Sequence, residues 1–288
     1  MDERWRPLLT DNPVIDRTVV FPRESFRGLA GTVRSIPWAL GLSAIRPDVA
    51  LDLQGLLRSA LMARLSRAAQ TVGLSDAREG AGWLYHEVAT VGRNEHAVHR
   101  YLRILENLGL PRVEKPAFPL PPGTPLNTPL PERPFIVVHP FARGEGKSLT
   151  LEHVIEFCNA VRPETVIVAG IGTIQRQLPD NAINLLNQTT IRQIIWLLGT
   201  AEFVVSVDSG PMHIAAALNP RMLSIHTWSD PRLVGPFSDE AWIWQGGEIR
   251  RQQIEASSLP PARAPEIGDI LQIAHFVKQC VQEGRPAT

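Results

Sequence analysis

The residues of this chain best suited to chemistry are Asp208, Ser209, Gly210, Pro211, Met212 and His213, and the chemistry they suit is the binding of an anion. They follow Phe203 to Val207, a short apolar, β-branched run of the kind found in a parallel sheet covered on both faces. Ser209, Gly210 and Pro211 signal a helix start: a capping hydroxyl, a residue without a side chain, and a proline lacking the N–H that a first turn cannot use. Met212 to Leu218 continue the helix. Its first turn carries unpaired N–H groups and the positive end of the dipole, a natural seat for a diphosphate above the strand's carboxyl end. The same residues also fit an ordinary strand-to-helix turn whose cap only stabilises the helix. At His213 the dipole disfavours imidazolium, so a neutral ring donating one hydrogen bond is expected, and a capping or core role fits equally well. Asp208, an anion, is not expected to touch the phosphate. It either positions the Ser209 turn through backbone N–H groups or binds substrate hydroxyls.

Three other loops belong at the carboxyl ends of neighbouring strands. In His139-Pro-Phe-Ala-Arg-Gly-Glu-Gly-Lys-Ser148, Arg143 and Lys147 can place charge on a phosphate while Gly144 and Gly146 allow close backbone approach. It is not a P-loop, because no glycine stands five residues before Gly146. A solvated basic turn is the other reading. In Ala169-Gly-Ile-Gly-Thr-Ile-Gln175, the two glycines leave room for a base or ribose, with Gln175 as hydrogen-bonding partner. The third loop, His226-Thr-Trp-Ser-Asp-Pro-Arg-Leu-Val-Gly-Pro236, offers an aromatic to cover a ligand, or is a long surface connection.

The elements that must position these loops alternate along the chain. Strands are expected at Thr18–Phe21, Val49–Leu53, Phe135–His139, Thr165–Ala169, Ile183–Leu186, Phe203–Val207 and Met222–His226. Helical periodicity covers Glu24–Arg46, which Pro37 should kink or split, Leu56–Ala69, Glu95–Leu108, Thr150–Arg162, Thr190–Leu198, Pro211–Leu218 and Glu266–Glu283. Nine prolines between Pro111 and Pro134 mark an inter-domain linker. The expected organisation is therefore an α/β domain at 1–110, a linker at 111–134, a second α/β domain at 135–265, and a C-terminal helix and tail at 266–288. Mainly parallel sheets follow from the alternation, with a ligand cleft where the carboxyl ends of the strands face one another. The last helix follows Leu259–Pro265, another proline-rich stretch, and is free to reach back toward the first domain.

A content of 44% apolar and 20% charged residues with zero formal net charge is that of a globular protein, and excludes wholesale coating of nucleic acid. Lysine occurs only at positions 115, 147 and 278, which singles out Lys147 within its glycine-flanked loop. Cys158 and Cys280, in segments with amphipathic helical periodicity, make neither a disulfide framework nor a zinc site. The polar start and the absence of an apolar run near the roughly 20 residues that span a bilayer lead to the expectation of a reduced, cytoplasmic setting.

With these residues in view, the chain resembles the bacterial glycosyltransferase family 9, the ADP-heptose:lipopolysaccharide heptosyltransferases. The resemblance covers most of the sequence. Asp52-Leu-Gln-Gly-Leu-Leu-Arg-Ser-Ala60 looks like that family's acceptor-domain segment, Asp208 to His213 looks like its donor-site signature, and Gly235-Pro236 completes the pattern. The resemblance implies a GT-B architecture, two Rossmann-like domains facing across a cleft, with ADP-heptose held by the second. It implies inverting transfer to the Kdo-bearing core of lipid A or to a heptose already added, with no obligatory metal and no cofactor. A carboxylate deprotonates the acceptor hydroxyl, which displaces the diphosphate from the anomeric carbon. Carried over to this chain, Lys147, Arg143, Gln175 and the turn Asp208, Ser209, Gly210, Pro211, Met212 and His213 serve the donor. Arg58, with Gln54 beside it, and Arg100 with Arg93 serve an acidic acceptor. The implied partners are a nucleotide-sugar donor and the lipopolysaccharide acceptor, with peripheral contact at the cytoplasmic face of the inner membrane and no nucleic acid.

Two departures qualify the resemblance. Where the family has an acidic residue for ribose or base, this chain has Thr173, Ile174 and Gln175. The family also opens with a strand and a glycine-containing loop that carries the basic Asp, whereas this chain begins where the second strand would be ending. A βαβ unit of roughly 30 residues or more is therefore expected to be lacking from the first domain, leaving the base unassigned and neither Asp48 nor Asp52 placed to replace it. Three readings follow: a heptosyltransferase-type enzyme whose given sequence starts late, a non-catalytic sugar-nucleotide-binding remnant, or a related nucleotide-sugar epimerase.

Overall fold

The computed structural model describes residues 1–22, 24–26, 28–130, 134–144, 146–253 and 258–284; the stretches 131–133 of the expected linker and 285–288 of the expected tail lie outside the described residues. The chain divides into two compact units, Met1–Arg6 with Asp16–Ala117, and Pro7–Ile15 with Phe118–Thr288.

In the first unit, β1 (Val49–Asp52), β2 (Gln70–Leu74) and β3 (Glu87–Ala89) form a parallel sheet in that order. Helices α1 (Gly28–Leu42), α2 (Leu57–Leu65) and α3 (Ala97–Asn107) accompany it, and Ile104 of α3 packs with Val72, Leu74 and Ala89. Two expectations are corrected here, and two strands are added. Thr18–Phe21 is not a strand: the Val20 carbonyl accepts from the Trp38 indole N–H at 2.8 Å, and Phe21 stacks edge-on with Phe26 and Trp38. The Val19 carbonyl and the Phe21 N–H are meanwhile bonded to the Met1 amine and carbonyl, each at 2.7 Å, so this backbone is shared between Met1 and Trp38 of α1 instead of pairing with a neighbouring strand. The first helix is shorter than 24–46 and runs through Pro37 without splitting. The missing N–H of Pro37 affects the carbonyl of Val33, on an exposed face where water can replace it. Strands β2 and β3 were not legible. One contains Gly73, which the Tyr85 ring needs for its own packing, and the other is only three residues long.

In the second unit, β4 (Phe135–His139), β5 (Thr165–Gly170), β6 (Ala182–Leu186), β7 (Phe203–Val207), β8 (Met222–Ile225), β9 (Trp242–Gln245) and β10 (Glu248–Arg251) form a sheet of order β10-β9-β8-β7-β4-β5-β6. All pairings are parallel except β9 with β10. Alternation sends Ile136, Val138, Val205 and Val207 to one face, under α4 (Leu151–Ala160) and α8 (Ile267–Glu283). Val137 and Val204 go to the other face, under α5 (Ile191–Thr200) and α6 (Gly210–Leu218). This is a doubly wound sheet, whose ligand edge is the carboxyl end of its strands. Thr150 and Thr190 accept from the N3 backbone N–H of α4 and α5, fixing where each helix leaves its loop. A four-residue helix, α7 (Pro231–Val234), follows β8.

The missed hairpin β9–β10 turns through Gly246 and Gly247, both with positive φ, as a two-residue turn between strands requires. Helix α8 packs on α4 of its own unit. The proline-rich stretch is also not a free linker over its described second half: Leu120, Leu126 and Leu130 pack on the α5 and α6 face. Thr124 donates to the Arg192 carbonyl at 3.0 Å, and the Arg192 guanidinium donates to the Pro122 carbonyl at 2.9 Å. Arg192 also pairs with Asp11 at 2.7 Å, while Leu8 joins the same core. Among the described residues no helix is long and apolar enough to cross a membrane.

Candidate functional site

Strands β4, β5, β7 and β8 are mutually parallel, so the loops that leave them gather at one edge of the sheet. The loop after β4 closes on itself: the Leu149 N–H reaches the Pro140 carbonyl at 2.9 Å, and the Ala142 N–H reaches Ser148 Oγ at 3.0 Å. Lys147, just before this closure, donates through Nζ to Asp208 Oδ2 at 2.9 Å. Its Nζ also lies 4.4 Å from the centroid of the Trp228 indole, which is itself 61% exposed. Thr227 Oγ1 donates to the Gly146 carbonyl at 2.7 Å, tying the loop after β8 to the loop after β4 beside these groups. Two loops 81 residues apart in sequence are thereby joined.

The lysine and aspartate side chains are 20% and 13% exposed, so their attraction is far less screened than that of a surface pair. Burial works against the charged form of Asp208, yet hydrogen bonds from Lys147 and Ser229 outweigh it, and the carboxyl is held below its usual range. His213 keeps an exposed edge, but the crowding of its ring lowers its pKa, partly opposed by Asp208. That direction agrees with a neutral imidazole in the first turn of α6.

Ser209 stands at the N-cap of α6, but its side chain makes no capping bond, contrary to the sequence expectation. Its Oγ lies 3.2 Å from His139 Nδ1 and 3.3 Å from Ser206 Oγ. Ser206 spends its own proton on the Val207 carbonyl, so Ser209 donates to Ser206 and accepts from His139. The hydroxyl is drawn down into the strand layer and does not cap the first turn of α6.

Other expected donor residues are less constrained. Arg143 and Gln175 are exposed on the loops after β4 and β5 and make no hydrogen bond or ion pair among the described residues. The loop carrying Gln175 is clamped at its root by Asn187, whose amide bonds both the carbonyl and the N–H of Gly172, at 2.6 and 3.2 Å. Gly170, at the end of β5, has φ +123°, and a Cβ there would lie 2.6 Å from His139 Nε2. Gly170→Ala is therefore expected to destabilise the second unit by about 2 kcal/mol, from backbone strain and displacement of His139. A loss of unfolding free energy in urea titration of less than about 0.5 kcal/mol would count against this packing.

On the first unit, the carboxyl ends of β1 and β2 also share an edge, and the Arg78 N–H bonds the Gly55 carbonyl across it at 2.8 Å. Gln54 and Arg58 are exposed at the β1–α2 turn, with the Arg58 guanidinium 5.4 Å from the Phe21 ring centroid. Arg100 on α3 is ion-paired with Asp76, so an acceptor anion would have to compete with that carboxylate; Arg93 is exposed nearby in sequence. Asp52 is buried, with Oδ1 accepting the Gln54 and Gly55 N–H groups at 2.9 and 3.2 Å and Oδ2 accepting the Tyr85 hydroxyl at 2.7 Å. No cluster of three or more metal-ligating side chains occurs among the described residues.

Sequence reading passed over Ser206, Ser224, His226 and Ser229 as participants. At Ser206 and Ser224 the available signal was a polar residue at a strand position whose neighbours are wholly apolar, since buried hydroxyls must find partners.

Over 126 residues the chain is 30% identical to lipooligosaccharide heptosyltransferase 2 of Haemophilus influenzae and 29% identical to lipopolysaccharide heptosyltransferase 2 of Escherichia coli K12. Each match covers 39% of this chain and 36% of the relative, so the matched stretch spans about a third of the curated relatives' length. Its fold is that of the E. coli ADP-heptose LPS heptosyltransferase II structure, with TM-score 0.71 and 19% identity over 99% of this chain and 89% of that one. The E. coli heptosyltransferase WaaC with ADP-2-deoxy-2-fluoro heptose gives TM-score 0.70 and 18% identity over 99% and 88%. The model of glycosyltransferase family 9 (heptosyltransferase) matches residues 40–259, a span that holds both the Asp52–Ala60 segment and the Lys147–Asp208 site, and the chain belongs to that family.

Proposed function

We propose that the second unit binds ADP-heptose, or a closely similar nucleotide-diphosphate sugar, and that the heptose is transferred with inversion to the inner core of lipopolysaccharide. The acceptor is the Kdo-bearing end of lipid A or a heptose already attached to it. The observation that carries this reading is Lys147, held by Asp208 at the head of α6 within the region matched by the family. An ammonium group and a helix N-terminus together oppose the charge that develops on a departing ADP. Arg143 and Gln175 then serve the rest of the donor, while Arg58 and Gln54 meet the acidic acceptor, with Arg100 available once it leaves Asp76.

In the transfer the acceptor oxygen attacks the anomeric carbon, the bond from that carbon to the ADP oxygen breaks with its electron pair, and a carboxylate takes the hydroxyl proton. Asp52 does not suit that last role, because both of its oxygens are engaged within the fold. Neither a metal nor a cofactor is part of the proposal, and full activity in the presence of a chelator is the expected result. The site of action is the cytoplasmic face of the inner membrane.

Calorimetry with ADP, UDP and GDP and their sugars tests the donor, with ADP and ADP-heptose expected to bind and the others to bind at least tenfold more weakly. A transfer assay with ADP-heptose and Kdo-bearing lipid A tests the rest. The engagement of Asp52 favours a second reading, donor binding without transfer, whose signature is ADP-heptose affinity with no product on any inner-core acceptor.

A further inference from the structure

Asp52 does not suit the role of base, yet the way its oxygens are engaged reaches the acceptor edge of the first unit. Buried at the end of β1, it accepts the Tyr85 hydroxyl on Oδ2 at 2.7 Å, and the Gln54 and Gly55 N–H groups on Oδ1 at 2.9 and 3.2 Å. Three neutral donors and, among the described residues, no cation hold this carboxylate. Tyr85 reaches it because the neighbouring strand leaves a slot. Gly73 is the register partner of Asp52 in β2, and a Cβ at Gly73 would run into the Tyr85 ring. Burial, and after it the bond to Asp52, push the phenol above its ordinary pKa, so at neutral pH it remains a donor.

What the pair holds is the turn from β1 into α2. Gly55, at φ +65°, accepts the Arg78 N–H on its carbonyl at 2.8 Å, and the Leu57 N–H goes to Glu79 Oε2 at 3.2 Å. Leu56, the N-cap residue of α2, makes no capping bond with its own side chain. The start of α2 is therefore set from outside the helix, by Asp52 and by the loop after β2, and with it the placement of Gln54 and Arg58. We infer that Tyr85 is a positioning residue for the acceptor: by pinning Oδ2 of Asp52 it fixes the rotation of the carboxylate, so that Oδ1 holds the turn presenting Gln54 and Arg58. This rests on the acceptor reading above. Without the phenol the carboxylate is free to turn about its Cβ–Cγ bond, the Gln54 and Gly55 N–H groups lose a fixed partner, and the two acceptor-facing side chains lose their common orientation.

The test compares wild type, Tyr85→Phe, Asp52→Ala and the double variant in the full chain. Phenylalanine keeps the ring over Gly73, so the packing of the sheet is preserved. With no ligand present, amide hydrogen exchange in Tyr85→Phe should be roughly tenfold faster at Gln54 and Gly55 and unchanged in β5 of the second unit. Binding of Kdo-bearing lipid A in detergent micelles should weaken roughly three- to tenfold, the size of one hydrogen bond, while ADP affinity stays within about twofold. Because Tyr85 acts through Asp52, the double variant should bind the acceptor no more weakly than Asp52→Ala alone. Unchanged exchange at Gln54 and Gly55 overturns the hold of Tyr85 on the turn, whatever the chain binds. Faster exchange with unchanged acceptor affinity in Tyr85→Phe overturns the positioning role, and a further loss in the double variant overturns its route through Asp52. If wild type binds no acceptor while the exchange result stands, the acceptor reading fails and the positioning role falls with it, leaving a purely structural pair.

Discussion

Lys147→Ala is expected to weaken ADP binding about 100-fold, the usual order for truncating one partner of a poorly screened, hydrogen-bonded charge pair. Three features set this magnitude. The ammonium is only 20% exposed, it is aimed by Asp208 at 2.9 Å, and it rests over the Trp228 indole. A diphosphate arriving at the head of α6 therefore meets a cation already desolvated and oriented, with little ordering entropy left to lose. Removing it also leaves Asp208 as an uncompensated anion facing the ligand. Lys147→Arg should recover only part of the loss, because a planar fork does not reproduce a point charge seated on an indole face. Calorimetry with ADP measures both variants, and an alanine variant that binds ADP as wild type does would remove Lys147 from the site.

The second large effect is on stability against acid. His139 and His226 are both buried, and desolvation is the main cause that lowers each to about 4 from the usual 6.5. Below pH 6.5 the unfolded chain takes up protons that the folded one refuses, so stability falls from there down to about pH 4. At about 1.4 kcal/mol per unit, each histidine contributes a loss of about 3 kcal/mol over that window. Asp208 adds to the same trend at its lower end: its folded pKa is depressed, so its contribution is present above the ordinary carboxyl value and disappears as pH falls through the folded one. Urea unfolding of the second unit at pH 7.5, 6, 5 and 4 should show a steep decline, and His226→Gln should flatten it. A stability that is constant between pH 7 and 5 is incompatible with two neutral buried imidazoles.

Much of the second unit could be read from the sequence because local and global signals agree there. Phe135–His139 and Phe203–Val207 are apolar runs buried on both faces, and Thr150 and Thr190 cap helices whose periodicity starts where the caps say. What escaped depended on distant partners. Gly73 breaks the pattern of β2 for the sake of Tyr85, twelve residues on, and the Gly246–Gly247 turn was the overlooked mark of β9 and β10. The site divides the same way. Lys147 and Asp208 were each singled out by the sequence, but their pairing across 61 residues was not legible. The fate of Ser209 was misjudged because a helix start predicts a cap, and nothing local reveals that His139 and Ser206 compete for the hydroxyl. Arg100 was chosen for its charge, and its partner Asp76 lies in the turn after a strand that the periodicity did not disclose.

The pinning of residues 7–15 to Arg192 has a consequence for the order in which this protein can be made. Leu8 and Asp11 leave the ribosome long before residue 192, so the segment that completes the second unit must wait through the synthesis of the whole first unit. At about 5–20 residues per second that wait is on the order of ten seconds or more. Until then the second unit's core lacks one of its apolar plugs, and folding of that unit can finish only after its last strands are out and residues 7–15 have come back to it.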